Sequence, residues 1–162
     1  MVIKVEKIRR TEENDINEIN KLLYVVEEVY HRARPNLFKG NTKKYTDLEL
    51  KEIIKDDTKL VFVYEDDKQI KGYAFCIIKE EVSHILTNIK TIYYIIDDLC
   101  VEESSRRNHI GTKLYSFTLE YAKRIGCYNL TLNEWADNKD ALKLYEKIGL
   151  HSQKIAMERI LD

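Results

Sequence analysis

Residues 92–126 read IYYIIDDLCVEESSRRNHIGTKLYSFTLEYAKRIG and contain the two patterns that decide the fold. The apolar run from Ile92 to Val101 is typical of a long strand at the centre of a sheet. After a polar loop, five apolar residues recur at helical spacing: Ile110, Leu114, Phe117, Tyr121 and Ile125. Gly126 then provides a C-terminal cap for that helix. This stretch therefore predicts a strand, a loop and a helix that packs on the sheet.

Strand and helix signals alternate along the rest of the chain, which favours a mixed α/β fold over an all-α or all-β fold. Before the quoted stretch we expect a strand over Val2 to Ile8 and an amphipathic helix over Ile16 to Tyr30. A second helix should begin at the capping box of Thr46 and Glu49. A hairpin should follow, in which Lys59 to Tyr64 pairs with Gln69 to Ile78. After the quoted stretch we expect a strand over Tyr128 to Glu134, a helix over Asn138 to Ile148 and a strand over Ser152 to Leu161.

Composition narrows the class of protein. The 162 residues have the size of one domain, so we expect a single domain over residues 1–162. Lys and Arg number 27 against 28 Asp and Glu, with both signs interspersed, which gives no basic field for nucleic acid or an anionic membrane. No apolar stretch is long enough to span a bilayer, and the N-terminal residues lack a signal-peptide pattern. These features predict a soluble, cytoplasmic protein.

The entry to the central helix has the features of an anion site. Arg106 and Arg107 precede the helix, and Gly111 removes a side chain from its first turn. Helix N-termini present unpaired N–H groups and a partial positive charge, which suits a pyrophosphate. An arginine pair before a helix is also a common solvated surface feature. The loop alone leaves both interpretations open, since it matches neither a P-loop nor a GxGxxG fingerprint.

Two motifs resemble the GNAT superfamily of N-acetyltransferases. Its signature, Arg/Gln-x-x-Gly-x-Gly/Ala after a strand, is matched by Arg106 and Gly111, whereas His109 stands in place of the first glycine. A second motif of the superfamily's last helix is reproduced downstream by Asn138, Ala141, Leu144, Tyr145, Lys147, Gly149 and Leu150. The resemblance is close over the C-terminal half and covers the N-terminal half only in its order of elements.

The resemblance implies a fold and a donor. The fold would be a central mixed, mostly antiparallel sheet flanked by helices, in which a splayed pair of parallel strands forms the cleft for acetyl-CoA. The donor's pantetheine arm would pair with the backbone of the central strand, and its pyrophosphate would meet the following loop. The implied donor-binding residues are Leu99, Cys100, Val101, Arg106, Arg107, Asn108, His109, Ile110, Gly111, Thr112, Asn138 and Tyr145.

Acetyl transfer to an amine needs a base for the amine and an acid for the departing thiol. Tyr145 matches the family's tyrosine near the thioester and is the candidate acid, although packing alone would also explain it. Asp98 and Glu134 are candidate bases, with water as a relay. Asp97 would face away from Asp98 if the strand is regular. Each carboxylate could equally be a solvated group at a strand end.

The sequence also suggests residues for the acceptor's side of the site and bears on the cysteines and histidines. Tyr30, Phe38 and Tyr73 could line the acceptor's side of the cleft or simply fill the core, and an acceptor amine on a small molecule or a peptide is expected. Cys100 is expected to be an inert thiol, and the scattered histidines give no metal-site spacing. The resemblance also makes a homodimer possible. The alternatives to an N-acetyltransferase are a non-catalytic acyl-CoA-binding module and an interaction domain without a CoA site.

Overall fold

The computed structural model describes residues 6–81, 89–101 and 109–161. Within these ranges it contains five strands, four α-helices and a short 3₁₀ turn at Glu13–Asp15. The strands are β1 (Glu6–Arg10), β2 (Lys59–Asp66), β3 (Gln69–Glu81), β4 (Ile89–Val101) and β5 (Asn129–Thr131). The helices are α1 (Ile16–Ala33), α2 (Asp47–Lys55), α3 (Ile110–Arg124) and α4 (Lys139–Lys147).

The strands form one sheet in the order β1-β2-β3-β4-β5. The pairs from β1 to β4 are antiparallel, and β4 pairs with β5 in parallel. The hairpin between β2 and β3 turns at Asp67 and Lys68, whose φ angles are 48° and 64°. Two successive left-handed residues suit a tight hairpin turn because they match the twist of the strands. The predicted mixed, mostly antiparallel sheet with one parallel pair is confirmed.

β2 shows how the sheet divides the core into two layers. Successive side chains of a strand point to opposite faces. Val61 and Val63 accordingly pack with α1 and α2, whereas Leu60 and Phe62 pack with α3. All four side chains are buried. The result is a sheet covered by α1 and α2 on one face and by α3 on the other.

The start of α2 confirms the predicted capping box. The Thr46 hydroxyl accepts a hydrogen bond from the Glu49 backbone N–H at 3.2 Å, and the Thr46 N–H donates to the Glu49 carboxylate at 2.7 Å. This reciprocal arrangement satisfies two donors that a helix N-terminus leaves unpaired. It fixes the point at which the chain enters α2.

The C-terminal part corrects two sequence predictions. Residues 151–161 lie in no helix or strand, so the strand predicted over Ser152 to Leu161 is wrong. The strand predicted over Tyr128 to Glu134 is present only at Asn129–Thr131. Alternating apolar residues are compatible with a strand, but a strand also needs a neighbour with free backbone groups. The sequence pattern does not reveal whether that neighbour exists within the same chain.

Candidate functional site

The parallel strands β4 and β5 diverge after a short contact. Their pairing runs from Thr91 opposite Asn129 to Tyr93 opposite Thr131, where β5 ends. β4 continues to Val101 and pairs on its other side with β3, where Ala74 faces Leu99. Among the described residues, no strand pairs with the β5 side of β4 from residue 94 onward. The backbone of this half of β4 is therefore available to an extended ligand.

An irregularity in β4 lies beside this opening. Cys76 pairs with Tyr94 and Ala74 pairs with Leu99, so the single residue Phe75 lies opposite residues 95–98 of β4. Bulges bend a strand and redirect its side chains, and they recur next to active sites. The candidate base Asp98 and its neighbour Asp97 both lie in this bulge. The simple alternation used to place them on opposite faces does not apply across it.

The N-terminus of α3 follows β4 in the chain. Its N-cap is His109, which adopts φ 57° and ψ 25° in the left-handed region. The first-turn N–H groups of Ile110, Gly111 and Thr112 have no partner within the helix, and the first turn carries no acidic residue. Ile110 itself is buried and anchors the turn. This end of the helix is therefore suited to hold an anion.

Several predicted donor-binding residues lie beyond what the structure describes. Arg106, Arg107 and Asn108 fall outside the described residues. Asp98 lies on β4 within the irregularity, and Leu99, Cys100 and Val101 follow it on the strand and pair with β3. The roles assigned to these side chains stay predictions.

Tyr145 lies on α4 and is partly buried. Burial is the largest cause that raises the pKa of its phenol to about 12, and the negative charge of Glu134 raises the pKa further. Both causes disfavour the phenolate, because a charged oxygen loses hydration on burial and is repelled by a nearby carboxylate. Tyr145 therefore keeps its proton throughout the neutral pH range.

Glu134 and Asn138 are connected by hydrogen bonds that the sequence did not predict. The Asn138 side-chain carbonyl accepts from the Ala141 N–H at 3.3 Å, which confirms Asn138 as the N-cap of α4. Its amide nitrogen donates to the Glu134 carboxylate at 3.3 Å, and the Trp135 N–H donates to the same oxygen at 2.9 Å. Asn138 thus couples the start of the helix that carries Tyr145 to the position of a candidate base.

Two of the three predicted acceptor residues lie together near Glu134. The rings of Tyr30 and Phe38 have centroids 5.2 Å apart, and Phe38 meets Trp135 edge to face at 6.2 Å. Arg34 lies over the Trp135 ring at 5.1 Å and forms a salt bridge of 3.2 Å with Glu158. We call Tyr30, Arg34, Phe38 and Trp135 the aromatic wall. Trp135 was not among the predicted site residues, although a lone tryptophan next to a candidate base was a usable signal.

Tyr73, the third predicted acceptor residue, has a different setting. Its side chain is fully buried in the core layer under α1, where its ring meets Phe75 edge to face at 5.1 Å. This burial favours a role in core packing for Tyr73 over a role in acceptor binding. Elsewhere, the loop carrying Phe38 is fixed by its carbonyl, which lies 2.7 Å from the His31 Nδ1.

Two kinds of feature are absent from the described residues. None of the helices in that part of the chain is long and apolar enough to cross a membrane. The same residues contain no group of three or more histidine, cysteine or acidic side chains placed to hold a metal ion.

Comparison with known proteins identifies the class. The model of the acetyltransferase (GNAT) family matches residues 26–150, from within α1 to the end of the second motif. The match covers well over half of the chain. The chain therefore belongs to the GNAT family of acetyltransferases, and the resemblance inferred from its motifs is confirmed.

Individual relatives agree with this family. Glucosamine 6-phosphate N-acetyltransferase of Arabidopsis thaliana is 26% identical over 111 residues, which are 61% of this chain and 69% of that protein. A mutant of a Bacillus halodurans protein has a TM-score of 0.89 at 24% identity, with 96% of this chain and 99% of that chain covered. The structure of AAC(6')-Iy with a CoA bisubstrate analog has a TM-score of 0.71 at 16% identity, with 98% and 99% covered. The two structures support the fold.

Proposed function

We propose that this protein is an N-acetyltransferase that moves the acetyl group of acetyl-CoA to a primary amine of a small molecule or a peptide. Both substrates would be bound together, and the amine would attack the thioester directly. The observation that carries the proposal is the opening of β4 away from β5, next to a helix N-terminus that bears the family's signature. No metal and no covalent enzyme intermediate are needed.

The donor would occupy the opening between β4 and β5. Its pantetheine amides would pair with the free backbone edge of β4 near Leu99 and Val101, much as a neighbouring strand would. The pyrophosphate would meet the N–H groups of Ile110 to Thr112 and the charges of Arg106 and Arg107. Support comes from the lack of a strand partner on this side of β4 among the described residues, and from the first turn of α3, which contains no acidic residue.

The reaction forms one bond and breaks another. The amine nitrogen attacks the thioester carbonyl carbon, the new C–N bond forms, and the C–S bond breaks. One proton leaves the amine, and the departing sulfur gains one. In the proposal Glu134, directly or through water, accepts the first proton, and Tyr145 serves the sulfur. Asp98 is the alternative base.

The raised pKa of Tyr145 restricts how it can act. A free thiol has a pKa of about 8.5, well below the value of about 12 for this phenol. Complete proton transfer from Tyr145 to the thiolate would therefore be unfavourable on its own. The pKa of Tyr145 fits a different role, in which the phenol donates a hydrogen bond to the departing sulfur. Its proton would move to the sulfur only as the amine loses its own proton. The phenol would be ready to donate at any neutral pH.

The aromatic wall is the proposed acceptor side of the site. It joins the end of α1 to Trp135, which directly follows the candidate base Glu134. Tyr30, Phe38 and Trp135 are only partly buried, so their faces can contact an apolar or ring-shaped part of the acceptor. One relative is named for glucosamine 6-phosphate, and two structural neighbours are named as aminoglycoside acetyltransferases. These names favour an amine on a small molecule as the acceptor, but they do not identify the compound.

A non-catalytic acyl-CoA-binding module is the second candidate. It is favoured by His109, which occupies the position where the family signature has a glycine. A side chain there leaves less room for the pyrophosphate. Such a module would bind acetyl-CoA without releasing thiol, whatever amine is supplied.

The test is release of CoA thiol from acetyl-CoA across a panel of amino sugars, polyamines and peptides. We expect amine-dependent release by the wild type and a fall of about 10²- to 10⁴-fold in Tyr145→Phe, the usual contribution of a positioned acid. Donor affinity should change little in this variant. Tyr128→Phe is the matched control, because Tyr128 is 75% exposed outside the site, and it should retain full turnover.

The outcome separates the candidates. Binding of acetyl-CoA with no release across the whole panel would support the non-catalytic module. Unchanged turnover in Tyr145→Phe would remove Tyr145 from the mechanism, and no binding of CoA at all would favour the interaction domain.

A further inference from the structure

The end of α1 and the loop that follows it carry charge of one sign. Residues 31–46 contain no Asp or Glu but five cationic residues, which are Arg32, Arg34, Lys39, Lys43 and Lys44. Over the whole chain the acidic residues balance the basic ones, 28 against 27. The cationic stretch is therefore a local feature, and a local positive field favours ligands that carry negative charge.

Arg34 is the member of this stretch that belongs to the aromatic wall. Its guanidinium carbon lies 5.1 Å from the centre of the Trp135 ring. Arg32, two residues earlier, instead pairs with Glu28 on α1 at 3.3 Å, and its side chain is 78% exposed. Arg34 is thus the cation placed to meet a ligand that contacts the wall.

The backbone around Arg34 is fixed by local contacts. The Arg34 N–H donates to the Tyr30 carbonyl at 2.9 Å, and the Arg34 carbonyl accepts from the Phe38 N–H at 3.1 Å. A Cβ atom at Gly40 would lie 2.8 Å from the His31 ring, so the loop packs directly against that ring. The positions of Arg34 and Phe38 are therefore set before a ligand binds, which lowers the entropic cost of binding.

The guanidinium of Arg34 has hydrogen-bonding capacity to spare. An arginine side chain presents five N–H donors in a planar fork that matches the oxygens of a carboxylate or a phosphate. Among the described residues this side chain donates one hydrogen bond, from Nη2 to the Glu158 carboxylate at 3.2 Å. It is 22% exposed, so an anion can reach it from the side of the wall.

Glu158 is a weakly held partner for Arg34. Its side chain is 65% exposed. It lies in residues 151–161, which form no helix or strand and, within the described part of the chain, no backbone–backbone hydrogen bonds. Exposed ion pairs contribute little to stability, so this carboxylate can leave Arg34 at low cost. It marks the place where the carboxylate or phosphate of a ligand would fit.

A group of opposite charge lies at the other end of Trp135. The Trp135 N–H donates to the carboxylate of the candidate base Glu134 at 2.9 Å, whereas the Trp135 ring lies under the Arg34 guanidinium. A primary amine in neutral solution arrives mainly as a cation, which the Glu134 carboxylate attracts. A ligand with an amine at one end and an anionic group at the other would match both charges.

We propose that the acceptor amine carries an anionic group, a carboxylate or a phosphate, which the Arg34 guanidinium binds in place of the Glu158 carboxylate. The inference rests on the proposed N-acetyltransferase function and narrows the class of its acceptor. The aromatic wall would contact the part of the acceptor between its two charges. Polyamines and neutral amines lack the group that Arg34 binds and would be poor acceptors.

The fluorescence of Trp135 tests binding without any need for turnover, because Trp135 is the single tryptophan of the chain. Two matched pairs of amines would be titrated in the presence of CoA, which cannot transfer an acetyl group. The pairs are para-aminomethylbenzoate with its amide, and O-phosphoethanolamine with ethanolamine. The anionic member of at least one pair should bind about 10- to 100-fold more tightly, the usual contribution of a hydrogen-bonded charge. The pair that shows the larger preference identifies a carboxylate or a phosphate as the anionic group.

Two variants of the ion pair should have opposite effects. Arg34→Gln should abolish the preference for the anionic amine, whereas Glu158→Gln should tighten its binding because the competing carboxylate is gone. If the pair only held the structure together, both variants would weaken binding. Arg32→Gln is the matched control, since it removes the same charge two residues away and should keep the preference.

Turnover separates this inference from the proposed function. With acetyl-CoA, kcat/KM for thiol release should favour the anionic amine in the wild type and lose that preference in Arg34→Gln. Equal use of both members of each pair, or a fall in binding in Glu158→Gln, would overturn the inference and leave the acetyltransferase activity in place. An anion-selective change in fluorescence without thiol release would support the Arg34 site and contradict the proposed function. No anion selectivity in the fluorescence would overturn the inference, whatever the activity.

Discussion

The central sheet and the C-terminal end of the molecule are packed very differently. Around β2 and β3, side chains such as Leu60 and Leu114 have no exposed surface, because helices cover both faces of the sheet. At the C-terminal end, Leu144 of α4 is 43% exposed and Ile155 is 83% exposed. The candidate residues Glu134, Asn138 and Tyr145 all belong to the less buried end. The tightly packed sheet and the elements that carry these candidate residues are thus different parts of the molecule.

This difference has a general physical meaning. Regions with few buried apolar contacts open at lower free energy than the core, and functional segments are often drawn from them. The donor would bind where β4, a strand of the packed sheet, separates from β5, a strand of the exposed end. A substrate bound there would bridge both regions and should stabilise the exposed one.

Matched leucine truncations should give the largest contrast. Leu114→Ala in α3 removes a side chain with 0% exposure, whereas Leu144→Ala in α4 removes one that is 43% exposed. We expect a loss of about 2–5 kcal/mol in the free energy of unfolding for Leu114→Ala and under about 1 kcal/mol for Leu144→Ala. Urea unfolding followed by circular dichroism measures both. Equal losses would show that the exposed end is packed as tightly as the core.

Alkaline titration of the wild type and of Tyr145→Phe should isolate the ionisation of Tyr145. Its pKa of about 12 lies above the ordinary 10.0, so the folded protein holds this proton more tightly than the unfolded chain does. The resulting stability is fully present below pH 10 and is lost as the pH rises from 10 to 12. Subtraction of the ultraviolet titration of Tyr145→Phe from that of the wild type should isolate the high pKa.

Glu134→Gln provides the control for this titration. Removal of the carboxylate charge should lower the pKa of Tyr145, but burial, the larger cause, should keep it above 10. A pKa unchanged by Glu134→Gln would show that the two groups do not interact. An ordinary pKa for Tyr145 in the wild type would contradict its partial burial.

Loss of the N-cap should affect stability differently in α2, which packs on the core, and in α4, which is largely exposed. Asn138→Ala on α4 and Thr46→Ala on α2 each remove an N-cap hydrogen bond worth about 1 kcal/mol. For Thr46→Ala we expect the global stability to fall by about this amount, since Leu50 of α2 is buried in the core. For Asn138→Ala we expect faster amide hydrogen exchange confined mainly to α4. Uniformly faster exchange in both variants would argue against independent opening of α4.

The smallest effect on stability is expected at the start of α3. His109 is exposed and has a φ of 57°, a conformation that costs a residue with a side chain about 1 kcal/mol and costs glycine little. His109→Gly should therefore raise the thermal unfolding midpoint slightly or leave it unchanged. Acetyl-CoA affinity, measured by calorimetry, decides the function of the side chain. Tighter binding would identify an obstruction, and weaker binding would show that the imidazole contacts the donor.

The sequence predicted the packed part of the fold well because the determinants there are local. The capping box at Thr46, the β2–β3 hairpin and the helical spacing from Ile110 to Ile125 each specify their structure within a few residues. The N-cap role of Asn138 was also predicted. Family motifs contributed the parallel pair, which periodicity alone does not identify.

The remaining features depend on contacts that a single sequence does not display. The bulge opposite Phe75 arises from the pairing of two strands, so alternation within β4 did not predict it. The segment Ser152 to Leu161 has the alternation of a strand, yet it pairs with no strand among the described residues. The hydrogen bond from Asn138 to Glu134 joins two residues whose relation depends on the turn between them.

A crystal structure of the protein soaked with acetyl-CoA tests the central claim most directly. We expect the pantetheine arm to lie along β4 beyond Tyr93, on the side vacated by β5, with the pyrophosphate at the N–H groups of Ile110 to Thr112. The thioester sulfur should lie within hydrogen-bonding distance of the Tyr145 hydroxyl. A donor bound elsewhere, or in the cleft with its sulfur far from Tyr145, would contradict this account of the site.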